Sequence, residues 1–300
     1  MSGIAKTTTA LDYGFDAQRK ARLVRRVRLA AGAAVKYIAL LGVSVVMLGP
    51  FLWMLGSSLK AEGDIFLFPP SLIPRPPQWG NYAETIRQMP FHVFTVNSIK
   101  IAVLGTIGTV LTCSLAAYAF ARLTFPGRDR LFILLLATMM IPGQITFIPH
   151  FLIMQFIGWT NSHNALIVPH FFGGAFGTFL LRQFFLTLPR ELEDAARIDG
   201  AGHFRIYWQI FMPLAHPALA TLAVFVFMGA WNDLVGPLIY LSDREKMTLT
   251  VGLAMFRGLN VVRWHLVMAG AVINVVPILV IYVLAQKYFV QGVALSGIKG

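Results

Sequence analysis

The chain has 300 residues, 57% apolar and only 13% charged, with 25 Lys and Arg against 13 Asp and Glu. A soluble globular domain carries about 25% charged residues, so the composition excludes one and describes an integral membrane protein. The net charge of +12 does not call for nucleic acid if the cations fall where membrane topology places them.

The first 36 residues form a basic lead with Arg19, Lys20, Arg22, Arg25, Arg26 and Arg28, and residues 1–18 read as flexible. The uncharged run 37–59 follows. About 20 residues at about 1.5 Å each cross a hydrocarbon core roughly 30 Å thick, so it predicts a first span. A cleaved signal is the alternative, but its apolar core is about 7–15 residues and ends in a small-x-small site. This run is longer and has no Ala-x-Ala near its end, so it reads as retained.

Residues 61–96 are an exposed, proline-rich stretch with Pro69-Pro70, Pro74 and Pro76-Pro77, after which Gly80-Asn81-Tyr82 opens a short helix. The second span is predicted at 98–121. Between 131 and 181 there is no Asp, Glu, Lys or Arg, which predicts two spans, 131–155 and 164–187, joined by a polar turn at 158–163. The fifth and sixth are predicted at 214–237 and 264–287, with a tail at 291–300. Pro142, Pro149, Pro169, Pro217, Pro237 and Pro277 predict kinks or broken helices. Gly173 and Gly177 offer a close-packing surface.

Segment 188–213 interrupts this pattern. Four acids and four arginines crowd between Arg182 and Arg205, and each charge costs about 2.5–3.5 kcal/mol at a bilayer centre, so the segment lies outside the lipid. Pro189 suits a first helical turn, and Glu191, Glu193 and Asp194 sit where the helix dipole favours acids. Gly200 is the natural stop, and a second short helix leads into Pro213. With the N-terminus inside, 17 of the 25 Lys and Arg fall on the inner side, so both termini and 188–213 are expected in the cytoplasm. The predicted fold class is an all-α membrane protein of six spans within 37–290, with a cytoplasmic helix-turn-helix between spans 4 and 5.

No catalytic constellation is visible. Cys113 is the only cysteine, and His150 and His170 inside spans suit packing or a polar pore rather than a metal. The phosphate-cradling Gly-x-x-x-x-Gly-Lys-Ser/Thr is absent, so the chain is expected to be non-catalytic, without a cofactor, and unable to hydrolyse ATP by itself. Polar or aromatic residues within spans mark a candidate path: Gln144, Thr146, Gln155, Trp231, Asn232 and Asn274, together with Asp233 beside the outer end. An indole face stacks well on a sugar ring, which makes Trp231-Asn232-Asp233 the best group; an interfacial anchor is the equal alternative for Asp233.

Asp194-Ala195-Ala196, then Gly200, Ile210 and Met212-Pro213 keep every spacing of a known signature: Glu-Ala-Ala, three residues, Gly, nine residues, Ile, one residue, Leu-Pro. Asp194 replaces Glu and Met212 replaces Leu. The chain thereby resembles the membrane-spanning subunits of binding-protein-dependent ATP-binding-cassette importers. The wider wording from Leu188 to Ala201 resembles their carbohydrate branch, specifically the maltose-type second permease subunit. Ser57-Ser58-Leu59-Lys60, Asn97-Ser98, Ala117-Tyr118-Ala119 with Arg122, Trp231-Asn232-Asp233 and Gly297-Ile298-Lys299-Gly300 extend the resemblance over roughly 35–300.

The resemblance implies that Glu191, Glu193, Asp194, Ala195, Ala196, Asp199, Gly200, Ile210 and Pro213 lie at or near a separate ATPase. It implies that Gly297, Ile298, Lys299 and Gly300 reach toward the ATPase dimer. It further implies a bacterial or archaeal cell membrane, a second related permease subunit, an extracytoplasmic solute-binding protein and a sugar or sugar-like solute. A self-sufficient secondary carrier or channel is the other class; it would be expected to carry intramembrane charge for ion coupling, and these spans have almost none.

Overall fold

The computed structural model describes residues 4–256 and 262–297, and contains helices and loops with no strand among the described residues. The chain divides into two units, one through Gly56 and one from Ser57 onward. The first is the helix α1, Ile4–Ser58, apart from its last two residues. Its backbone is already helical from Ile4, whereas the polar N-terminal residues read as flexible; nothing in 4–36 is a proline that would end the helix started by the apolar run. From Leu29 to Leu52 its large apolar side chains are exposed, as suits a surface solvated by hydrocarbon.

The second unit is organised by α3, Phe91–Arg122. It is preceded by α2, Gly80–Gln88, and packs against α7, Ala175–Thr187, and α11, His216–Trp231. The last long helix, α14, Trp264–Gly297, packs on α11 and α2. Among the described residues four helical stretches are long and apolar enough to cross a membrane: Arg28–Ser58, Phe91–Arg122, Asn164–Thr187 and Trp264–Val283. Two bent pairs raise the count to six if each is one span.

The bends fall at prolines. The stretch 131–155 reads as one span, but the chain turns by 92° between Arg128–Met140, which contains α4 (Arg128–Ala137), and Gly143–Phe156, which contains α5 (Phe147–Phe156). Ile141 is extended, as a residue before a proline prefers to be, so Pro142 separates the two pieces. Within 164–187 the helix α6, Asn164–Ile167, gives way to a tight turn at Val168–Phe172, and Gly173, with φ +86 and ψ −173, takes a backbone conformation open essentially to glycine alone. In the fifth stretch α11 ends at Trp231, and a separate α12, Val235–Tyr240, follows.

At the Phe91 end of α3, uncharged side chains tie loops to one another. Asn97 Nδ2 donates to the Glu245 and Met247 carbonyls at 2.8 and 3.0 Å, and Ser98 Oγ accepts from the Leu249 amide that opens α13, Leu249–Met255. Asn161 Oδ1 accepts from the Ser242 and Asp243 amides, and His163 Nε2 meets the Lys246 carbonyl at 2.8 Å. Asn81 donates to the Ser58 and Lys60 carbonyls. A core of Phe91, Phe94, Phe227, Trp231, Leu249 and Leu266 lies beneath.

Candidate functional site

Segment 188–213 forms two short helices at the Arg122 end of α3. The first, α8, Glu191–Ile198, carries Glu191, Glu193 and Asp194 in its first turn and Arg197 in its last, matching its dipole at both ends. Gly200, with φ +78, closes it: the Gly200 amide donates to the Arg197 carbonyl at 3.0 Å and the Ala201 amide to the Ala196 carbonyl at 2.9 Å. That pair of bonds is the Schellman arrangement. After the turn, α9, His203–Ile206, runs into a π-helical turn, Tyr207–Phe211, and a last turn α10, Met212–Leu214.

Two faces of α8 differ. Glu193 is buried and holds Arg197 at 2.6 Å one turn on. Glu191, Asp194, Ala195, Ile198, Asp199 and Gly200 are exposed, Ala196 half-buried, and Ile198 is 87% exposed. Three residues after Arg190 and four before Arg197, Glu193 faces inward. Ile210 is half-buried on the core side and Pro213 exposed. Phe204 and Trp208 are also exposed, at 70% and 54%, which adds an apolar strip to the same segment.

The segment is tied down from α3. The Arg122 guanidinium donates to the Phe185 and Leu188 carbonyls, each at 2.5 Å, and stands over the Phe211 ring at 4.9 Å. The Phe185 carbonyl also accepts from the Leu188 amide at 3.3 Å, so the guanidinium reinforces that helix end and supplies a donor to the Leu188 carbonyl beyond it. Tyr207 and Phe211, one π turn apart, pack on Tyr118 with Phe185 and Leu181, and Tyr207 Oη lies 2.8 Å from Ser114 Oγ. Arg122 was visible in the sequence only as the residue closing a span; its partners lie more than 60 residues away.

Among the described residues, only Asn274 of the candidate path residues outside the run 231–233 is brought to another of them, Trp231. Gln144 and Thr146 are exposed, and Thr146 Oγ1 is used by the Gly143 carbonyl. Trp231 is 1% exposed, stacked on Phe227 at 5.7 Å, with Nε1 donating to the Asn274 carbonyl at 3.3 Å. Its face is covered by its own core. Asn232 is exposed and donates to the Met228 carbonyl. Asp233 Oδ1 accepts from the Val235 and Gly236 amides, both at 3.1 Å, and so caps α12.

Asp233 does line a cavity of about 410 Å³ between α3, α7 and α11, which it shares with Thr109, His170, Gly173 and Gly229. His170 Nδ1 lies 3.0 Å from Thr109 Oγ1. The cavity sits beside the broken stretch at 168–173, where a polar wall and an interrupted helix occur together, as in transporter binding regions. Thr109 carried no sequence signal, because threonine is common in helices that bond it to their own carbonyls. Among the described residues no group of His, Cys, Asp and Glu is arranged to hold a metal ion.

Among the described residues four helices, or six if each bent pair is one span, are long and apolar enough to cross a membrane, and comparison with known proteins specifies the class. Residues 108–295 match the binding-protein-dependent transport system inner membrane component family. The chain is 34% identical over 283 residues to the trehalose/maltose transport system permease protein MalG of Thermococcus litoralis, covering 93% of this chain and 98% of that one. It is 32% identical over 271 residues to the sulfoquinovosyl glycerol transport system permease protein SmoH of Agrobacterium fabrum, covering 90% and 95%. A crystal structure of a bacterial ABC transporter involved in import of the acidic polysaccharide alginate superposes with TM-score 0.76 at 26% identity, covering 85% of this chain and 96% of that one. The chain belongs to that inner membrane component family, and it is a permease subunit of an ATP-binding-cassette importer.

Proposed function

We propose that this subunit forms half of the translocation path for a polyhydroxylated, sugar-like solute and takes its driving force through α8 from a separate ATPase. The observation that carries the reading is the geometry of α8: a glycine-closed helix whose Glu193 side is anchored inward while Ala195, Ile198, Asp199 and Gly200 face out. An exposed rigid helix with small residues and an apolar tip suits a cleft on a partner protein. The relatives' solutes, from trehalose and maltose to sulfoquinovosyl glycerol and sn-glycerol-3-phosphate, support a hydroxyl-rich substrate. The cavity bounded by Thr109, His170 and Asp233 supplies groups that donate to and accept from hydroxyls.

In this reading 188–213 and both termini are cytoplasmic, with a second permease subunit, an ATPase dimer, an extracytoplasmic binding protein and the surrounding lipid as partners. Residues 1–36 are the basic inner flank, and 37–290 the span region. The tail falls partly outside the described residues: α14 runs to Gly297, while Ile298, Lys299 and Gly300 lie beyond them. The test is isolation of the assembled importer from native membranes with wild-type chain or Ala195→Trp. Loss of the ATPase from the variant, with the second permease retained, is expected; equal ATPase recovery and equal uptake would overturn the docking role. Mass identification of the solute retained by the intact complex tests the substrate class. Uptake by the purified chain alone in liposomes would instead favour a self-sufficient carrier.

A further inference from the structure

The inward side of α8 does not close against α3. It leaves a cavity of about 460 Å³ whose walls include Arg122, Arg128, Arg190, Arg197, Glu193 and Asp194. Four guanidinium groups face two carboxylates on these walls. Arg197 is matched by Glu193 at 2.6 Å and Arg128 by Asp129 of the adjoining groove at 2.9 Å, which leaves Arg122 and Arg190 against Asp194 and a net positive charge. Among the described residues the Arg190 side chain has no hydrogen bond or ion pair, and Arg122 Nε is buried with no hydrogen-bond partner. A neighbouring groove of about 570 Å³ shares Thr124, Phe125 and Arg128 and adds Arg130.

The position of this charge is specific. Arg122 is the last residue of one apolar stretch and Arg128 the first of the next, so the cavity opens at the level where a bilayer changes from hydrocarbon to headgroup. Arginine is the side chain of choice for phosphate oxygens because its planar fork donates two parallel bonds. Basic pockets between spans receive phospholipid headgroups for the same reason. The residues at 190, 193, 194 and 197 share one helical face by their three- and four-residue spacing, away from the exposed side of Ala195 and Asp199. A ligand here leaves that exposed side uncovered.

We propose that this cavity is a binding site for a phosphate group, supplied by the headgroup of an anionic phospholipid and lodged between the turn at 123–127 and α8. The bound phosphate bridges cations on α4 and α8 that have no covalent or backbone link to one another, and it thereby fixes the inward face of α8.

Calorimetric titration of the full-length chain in neutral detergent tests it, with dioctanoyl phosphatidylglycerol, dioctanoyl phosphatidylcholine and inorganic pyrophosphate as separate probes. Saturable binding of about one phosphatidylglycerol per chain, with phosphatidylcholine at least about tenfold weaker, is expected. The double variant Arg128→Gln, Arg190→Gln is expected to lose about tenfold or more in phosphatidylglycerol affinity. The control Arg75→Gln, Arg87→Gln, which removes equal charge elsewhere, is expected to keep it. Unchanged melting of both variants without lipid shows that folding is not what was lost. Pyrophosphate binding without phosphatidylglycerol binding would overturn the lipid source while supporting the phosphate chemistry. Equal loss in both double variants, or no binding of either anion, would overturn the site. Exclusion of phosphatidylglycerol by a bound ATPase subunit would assign the cavity to that protein contact instead. The titration reads neither transport nor hydrolysis, so its failure is separable from failure of the ATPase-docking proposal.

Discussion

The two ends of α3 solve the same problem with different chemistry. At the Phe91 end the buried and half-buried ties are mostly neutral, with Asn97, Ser98, Asn161 and Asn81 each bonding backbone groups far away in the chain. The charged ties there, Arg244 to the Gln88 carbonyl and the Lys246–Asp243 and Arg263–Glu84 pairs, lie at the exposed surface. At the Arg122 end a charged guanidinium holds the carbonyls that finish α7, and a Glu193–Arg197 pair holds α8. Neutral bonds to backbone give a framework with one geometry and little sensitivity to salt. Charged bonds are stronger one by one but can exchange partners, which suits a segment expected to move.

The largest test of this contrast is Arg122→Ala. It strands the Leu188 carbonyl, leaves the Phe185 carbonyl with the Leu188 amide alone and removes the cation over Phe211. Hydrogen bonds to charged groups contribute about 1.5–3 kcal/mol each, so a loss of about 3 kcal/mol is expected. Thermal unfolding in detergent measures it, with uptake abolished. Asn97→Leu comes next, leaving two loop carbonyls unbonded at a cost of about 2 kcal/mol. Hydrogen exchange should then lose protection at 245–249 while α8 is unchanged; coincident loss at both ends would break the contrast.

Gly200→Val forces a β-branched residue into left-handed backbone, a strain of about 1–2 kcal/mol. Its expected signature is weakened ATPase recovery with little change in melting of the whole chain. The smallest effect concerns Asp243, whose carboxyl is held below its ordinary value of 3.8 by the hydrogen bond from Lys246 and then by Asn161. A depressed carboxylate contributes stability above its unfolded pKa and loses it as pH falls through the folded value. Exchange at 242–246 should therefore be flat from pH 8 to 5 and quicken, after correction for intrinsic rates, only below the ordinary value. Asp243→Asn should remove that dependence.

The α8 turn was the most legible element, because Gly200 and the first-turn acids act through bonds within a few residues. The prolines showed where spans break but not how sharply: Pro142 sits at a 92° corner and Pro277 lies inside a continuous α14. The path was poorly legible. Trp231 is polar on paper, yet the packing of α11 on α14 puts its Nε1 on the Asn274 backbone carbonyl, while Thr109 and His170 meet across 61 residues. Arg122 reads as a topology cation, and only the folded chain gives it two carbonyls to hold.

The second bend has its own consequence. Residues 203–214 meet α11 at 79°, with Pro217 unable to donate to the Pro213 carbonyl and the His216 ring standing in. Any displacement given to this arm therefore turns a corner before it reaches the span. It arrives as torque, with little thrust along the shaft, so the natural response of α11 is to swivel and tilt rather than to slide like a piston.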